Sequence, residues 1–230
     1  MKNVIAVVLL SALFAPGVAN HVVRAQTASG DSPKLTAPRR KLDVAKPDPV
    51  VREAAFDAGG VVIVNANVGD LRVRPAEDDA HIKLVITSRN LDDAAAAPHW
   101  IREFAVNGSQ AKIVLQMPKH GEHNFDVTLY VPKRSDLRLN LEVGDLTIEG
   151  ITGNTDAELG VGDLHMTVPD PHAYRAVAMS VHIGDVDAKA FGLEPSGFLG
   201  KSVERQFSAG SYRLKLHTGI GDVSCVAGGA

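Results

Sequence analysis

Leu137-Arg138-Leu139-Asn140-Leu141-Glu142-Val143-Gly144-Asp145-Leu146-Thr147-Ile148 alternates apolar and polar residues on both sides of one Gly-Asp word. Alternation with a period of two is the mark of a half-buried strand, since successive side chains point to opposite faces. The same word recurs as Val68-Gly69-Asp70-Leu71, Val161-Gly162-Asp163-Leu164, Ile183-Gly184-Asp185-Val186 and Ile220-Gly221-Asp222-Val223. Successive Asp positions differ by 75, 18, 22 and 37 residues, close to four, one, one and two turns of a unit of 18 to 22 residues. A fixed period in that range signals stacked repeats.

Aligned on the Asp, the residues eight, six, four and two places upstream, and one and three downstream, share one face in each copy. Of these 30 positions 28 are apolar, the exceptions being Thr155 and Thr218. The column two places before the Asp (Val68, Val143, Val161, Ile183 and Ile220) is expected to point inward with the rest. The interleaved positions are polar, Ile63 and Ala178 apart, and include His165, His182 and His217. The apolar phase then takes an odd step across each Gly-Asp, which two straight strands cannot absorb. A corner or bulge must lie there, with glycine free to adopt positive φ and Asp able to bond nearby N–H groups. The reading is all-β: a β-solenoid of 18–22-residue rungs cornered at Gly69 and Asp70, Gly144 and Asp145, Gly162 and Asp163, Gly184 and Asp185, and Gly221 and Asp222.

Further alternating runs, Ile82 to Ile86, Lys112 to Gln116 and Phe125 to Val131, fill the gap between the first two copies. Leu91–Phe104 reads as an inserted loop or helical turn, and the Gly-rich Phe191–Gly210 as a second loop.

The chain has 230 residues, with Lys and Arg numbering 24 against 27 Asp and Glu, a net charge of -3. Nucleic acid is not an expected partner, since that surplus is acidic and aromatic residues for base stacking are only 5%. Met1-Lys2-Asn3 and the apolar run Val4–Phe14, followed by small residues, read as a signal peptide; cleavage fits before Asn20 or before Gln26, the second preferred, so that it ends at Ala25. Residues 26–51, with Pro33, Pro38, Pro47 and Pro49, read as a disordered Pro-rich linker, and 52–230 as a single domain. Arg39-Arg40-Lys41 gives the linker a local positive charge. Removing residues 1–25 leaves 22 basic against 27 acidic side chains, a net -5. No later segment approaches the ~20 apolar residues of a membrane helix, so the expected mature chain has no transmembrane segment and lies in the periplasm or at the cell surface.

The same residues carry a family resemblance. The stretch Phe56 to Val73, the word Val127-Thr128-Leu129-Tyr130-Val131-Pro132, the Gly-Asp words and the closing Tyr212 to Val223 resemble the adhesin-like, toast-rack β-strand-repeat family of exported bacterial proteins. The resemblance spans about residues 52–226. It implies an all-β, solenoid-like domain in the cell envelope, with no established catalytic site.

Motifs with chemistry are sparse. His120-Gly121-Glu122-His123 has metal-ligand spacing but no third fixed ligand, and reads as a solvated turn. Gly197-Phe198-Leu199-Gly200-Lys201-Ser202 is too short for a phosphate-binding loop. Cys225, the single cysteine, falls in an inward column and reads as a small core residue. No cofactor is implied. Stacked Asp145, Asp163 and Asp185 would repel, which leaves two readings: each carboxylate bonds N–H groups of its own turn, or a divalent cation such as calcium bridges neighbours. The functional expectation is a non-enzymatic envelope binding or scaffolding domain, with an envelope, surface or protein ligand. The alternative is a polysaccharide-acting β-helix hydrolase or lyase, against which stand few aromatics and no evident Asp/Glu/Arg cluster beyond the corners.

Overall fold

A computed structural model describes residues 47–88, 91–118, 125–198 and 200–228. The strands, in chain order, are β1 (Val50–Ala55), β2 (Val61–Val68), β3 (Asp70–Pro75), β4 (His81–Ser88), β5 (Ile101–Asn107), β6 (Gln110–Leu115), β7 (Phe125–Val131) and β8 (Asp136–Val143). They continue as β9 (Leu146–Glu149), β10 (Thr155–Val161), β11 (Leu164–Val168), β12 (Tyr174–Ile183), β13 (Val186–Asp187), β14 (Ser202–Gln206), β15 (Tyr212–Ile220) and β16 (Val223–Ala227). A short helix α1 (Leu91–Ala96) and a 3-10 turn at Ala97–Trp100 stand where an insertion was expected. The other expected loop holds β14, and β1 opens two residues inside the expected linker. The signal-peptide residues lie outside the described residues, as does His120-Gly121-Glu122-His123.

Each Gly-Asp word separates a strand of one sheet from a strand of the other. One sheet runs β1-β4-β7-β3-β9-β11-β16-β13 and the second β14-β12-β15-β10-β8-β2-β6-β5. The protein is therefore all-β, with the buried side chains of both sheets forming one core cluster. The five copies pair parallel and in register: Val68 sits opposite Val143, Val143 opposite Val161, Val161 opposite Ile220 and Ile220 opposite Ile183. Strands that carry the same pattern keep like positions on one face only when paired in register, and that register is the one adopted.

Two expectations need correction. The copies do not stack in chain order, because the last copy (β15–β16) inserts between the third (β10–β11) and the fourth (β12–β13). A simple solenoid, winding each rung onto its predecessor, is thus not what the strand order displays. Secondly, the column two places before the Asp does not face the core. Val143, Val161, Ile183 and Ile220 are 45%, 43%, 58% and 50% exposed, and Val68 is half-buried. The other 25 of the 30 positions are buried, Thr155 and Thr218 included. The odd step falls between the residue four places before the Asp and the one after it, as from Leu141 to Leu146, so the corner is four residues long.

The ends use other devices. β1, β4 and β7 pair antiparallel at one end of the first sheet. In the second sheet, β5 pairs antiparallel with β6, and β14 with β12. Each thereby covers strand edges of the parallel centre.

Candidate binding surfaces

The corners form a ladder. Gly69 N–H donates to the Val143 carbonyl (3.0 Å) and Leu71 N–H to the Asp145 carbonyl (2.9 Å). Between them Asp145 N–H donates to Asp70 Oδ1 (3.2 Å), so a side chain supplies the acceptor that the bent backbone cannot. The same bond runs from Asp163 N–H to Asp145 Oδ1 (3.1 Å), from Asp222 N–H to Asp163 Oδ1 (2.9 Å) and from Asp185 N–H to Asp222 Oδ1 (2.8 Å). The carboxylates therefore bond the neighbouring rung and not their own turn. The order of the row is Asp70, Asp145, Asp163, Asp222, Asp185, so Asp163 and Asp185 are not neighbours. At its end Lys201 Nζ donates to Asp185 Oδ1, closing the row with a cation.

The glycines are stacked as closely as backbone allows. Gly144, Gly162, Gly221 and Gly184 have φ of 132°, 133°, 130° and 139°, and a Cβ on any of them would lie 2.0–2.2 Å from the carbonyl oxygen of the glycine in the adjacent rung. Left-handed φ and lack of room both demand glycine here.

Beside this ladder runs the exposed column Val143, Val161, Ile220 and Ile183, one residue on each of four adjacent strands. Four branched aliphatic side chains at about 4.8 Å intervals make a ridge roughly 15 Å long. These four are among the few large apolar residues that the domain leaves exposed.

The outer face of the second sheet carries polar rows. Ser180, His217 and Glu158 stand opposite one another on β12, β15 and β10. Ser180 Oγ lies 2.9 Å from His217 Nδ1, and the His182 ring packs edge-on against His217 with centroids 4.8 Å apart. Lys215 Nζ holds Glu158 (2.8 Å) and Asp156 (3.1 Å). The hydrogen bond and charge of Lys215 keep the Glu158 carboxyl below its ordinary range, and Glu158 raises Lys215 in return. The hydrogen bond of the Glu158 carboxylate thus goes to Lys215, while His217 Nδ1 faces Ser180. His165 lies apart on the first sheet, where its Nδ1 is 2.7 Å from Ser224 Oγ. Cys225 is buried, as expected, and burial pushes its thiol up to about 12.

One feature was not visible in the sequence. Arg138, Arg175, Arg213, Lys215, Asp136 and Asp156 line a single groove of about 540 Å³ on this sheet. The expectation of no Asp/Glu/Arg cluster beyond the corners is therefore wrong. Arg138, Arg175 and Arg213 are separated in sequence by 37 and 38 residues, and the in-register pairing of β12, β15, β10 and β8 brings them together.

No family model matches the chain, and no curated protein matches it significantly. A solved structure, described as a "putative cell adhesion protein" from Clostridium sporogenes ATCC 15579, aligns with 79% of this chain and 100% of its own, at 15% identity and a TM-score of 0.47. Among the described residues, no helix is long and apolar enough to cross a membrane, and no group of three or more His, Cys, Asp or Glu side chains is placed to hold a metal.

Proposed function

We propose that this chain is a non-enzymatic, exported envelope protein whose β-domain is an adhesin-like binding or scaffolding body. In this reading the parallel centre is a solenoid-like stack, with one interchange of rungs, that serves to hold surface columns in register. The exposed ridge of Val143, Val161, Ile220 and Ile183 is the observation that carries the reading. Packing does not require branched aliphatics there, because the inward columns already fill the core. A recurrent aliphatic in solvent, on strands fixed by the ladder, suits contact with another surface. The resemblance to exported repeat proteins and the signal-like Val4–Phe14 run support an envelope location.

The test is retention of the mature chain on an immobilised envelope fraction, beside a turnover assay on a polysaccharide panel. Retention without turnover is expected, and replacing the four ridge residues by Ser should reduce retention at least tenfold while leaving the melting temperature nearly unchanged. Catalytic turnover of any polysaccharide would establish the hydrolase or lyase alternative instead.

A further inference from the structure

The basic groove is the strongest unabsorbed feature of the molecule. Its two acids are already engaged: Asp136 accepts Asn154 N–H (2.8 Å) and Nδ2 (3.0 Å), and Asp156 accepts Lys215 Nζ (3.1 Å). Lys215 is in turn satisfied by Asp156 and Glu158. Arg138, Arg175 and Arg213 are exposed, and none of the three has an acidic side chain within ion-pair distance among the described residues. With Lys215 they set four cations against Asp136 and Asp156 in one groove, an excess of two positive charges in a chain whose overall charge is -3. A second hollow of about 450 Å³, lined by Gln206 and Ser208, shares Arg175 and Arg213 and lengthens the basic track.

The spacing of the charges selects the ligand. Arg138 lies on β8, Arg213 on β15 with β10 between them, and Arg175 on β12 beyond. At about 4.8 Å per strand these positions span roughly 15 Å, too far for one small anion to reach all three. The ligand must carry several anionic groups along a chain. Guanidinium forks pair with carboxylates in two parallel hydrogen bonds. Asp136 and Asp156 border the arginines; their charge disfavours a dense polyanion, and the lone pairs not taken by Asn154 and Lys215 can still accept hydroxyl donors. Alternating cations and hydroxyl acceptors match a sugar polymer bearing carboxylates. We propose that this groove binds an acidic polysaccharide of the uronate class. The inference rests on the binding reading above and names a ligand for it.

The test is titration calorimetry of the full mature chain with a defined oligogalacturonate at two salt concentrations. A neutral dextran oligomer, a polyphosphate and single-stranded DNA serve as comparison ligands. Oligogalacturonate should bind most tightly, more weakly as salt rises. The triple variant Arg138→Ala, Arg175→Ala, Arg213→Ala should bind at least tenfold more weakly, with a shallower salt dependence and an unchanged melting temperature. Arg52→Ala, on the far edge strand β1, should bind as the parent does. No binding, equal binding by the triple variant, or tighter binding of DNA or polyphosphate would overturn the proposal. Release of unsaturated uronate on incubation would overturn the non-enzymatic reading while upholding the groove's ligand. Ridge variants that lose envelope retention but still bind oligogalacturonate would uphold both assignments as separate sites.

Discussion

The parallel centre and the antiparallel ends of this molecule solve the same problem by different means. In the centre, every corner is copied, and each rung satisfies its neighbour through an Asp side chain and a glycine stacked on glycine. At the end beyond the first copy no further Gly-Asp word follows. There Gly69 meets Phe125 and Met117, while buried Asn67 takes both polar groups of the Met117 backbone, donating to its carbonyl and accepting its N–H at 2.8 Å each. At the opposite end Lys201 stands in for the missing rung at Asp185. Repetition makes each central position depend on its neighbour's geometry, whereas the ends rely on single unrepeated side chains.

The largest expected effect separates a ladder glycine from an end glycine. In Gly162→Ala the Cβ would sit 2.0 Å from the Gly144 carbonyl oxygen at φ 133°, and backbone cannot move aside without breaking the ladder. A loss of more than about 4 kcal/mol, or failure to fold, is expected by denaturant unfolding or soluble yield. Gly59, in the turn between β1 and β2, also has positive φ (83°) but nothing within 4 Å of an added Cβ. Gly59→Ala should cost only about 1–2 kcal/mol, the left-handed backbone penalty. Equal losses in the two variants would show that conformation alone, and not stacking, demands glycine at the corners.

Asn67→Ala tests the unrepeated cap and ranks next. It leaves one buried N–H and one carbonyl of Met117 without a protein partner, for an expected loss of about 2 kcal/mol. A loss under about 0.5 kcal/mol, as for an ordinary surface change, would mean that the first corner is held by Phe125 packing alone.

Which of these features the sequence displays follows from their physics. The inward columns were legible because period two is a strong local signal, and the glycine corners because an odd phase step needs a corner. The ridge was misassigned because steps of three and five residues are both odd, and Val or Ile fits a strand on either face. Gly160 and Gly219, three places before their Asp residues, held the missing hint. A Cβ on Gly160 would lie 2.3 Å from the Glu142 carbonyl oxygen, and one on Gly219 would lie 2.5 Å from that of Gly160, so the close stacking begins there. The interchange of the last two copies was illegible because copies with the same pattern pair equally well. The arginine groove was missed for another reason: Arg138, Arg175 and Arg213 lie far apart in the chain and converge only when their strands pair.

Titration offers a comparison between the dry interior and the solvated corners. Burial raises the Cys225 thiol from its ordinary 9.0 to about 12 and raises the Tyr174 hydroxyl as well. Below pH 9 the thiol is protonated in both states, so its contribution is whole. Above that, the unfolded chain releases the proton while the folded chain keeps it, and stability falls as pH rises. The slope for Cys225 approaches about 1.4 kcal/mol per pH unit, with Tyr174 adding to it at higher pH. Denaturant midpoints at pH 8, 9 and 10 should fall, and Cys225→Ala should flatten the step between 9 and 10. A thiol reagent should also label Cys225 slowly in native protein and rapidly in unfolded protein. Equal labelling rates would contradict its place in the core.

The smallest effect, at Asp163, asks what holds like charges in a row. Neighbouring carboxylates at about 4.8 Å repel by roughly 1 kcal/mol in water. In the ladder reading, Asp163 Oδ1 offsets this by accepting Asp222 N–H at 2.9 Å, a bond that an Asn oxygen can also accept. Asp163→Ala loses that bond along with the repulsion, so it should lie about 1 kcal/mol below Asp163→Asn, water at the exposed corner recovering part of the lost bond. Asp163→Asn should keep the acceptor and remove repulsion with both Asp145 and Asp222, raising stability by up to about 1 kcal/mol at low salt. That gain should shrink as salt screens the row. A bridging cation predicts the opposite sign for Asn, because the substitution would remove a ligand. It also predicts that millimolar calcium raises the melting temperature, and that Asp163→Asn abolishes the rise. The expected result is the same melting curve in calcium and in chelator, with Asn above parent and Ala below Asn. A calcium-dependent rise lost in Asp163→Asn would mean that the row is held by metal, and that its hydrogen bonds are secondary.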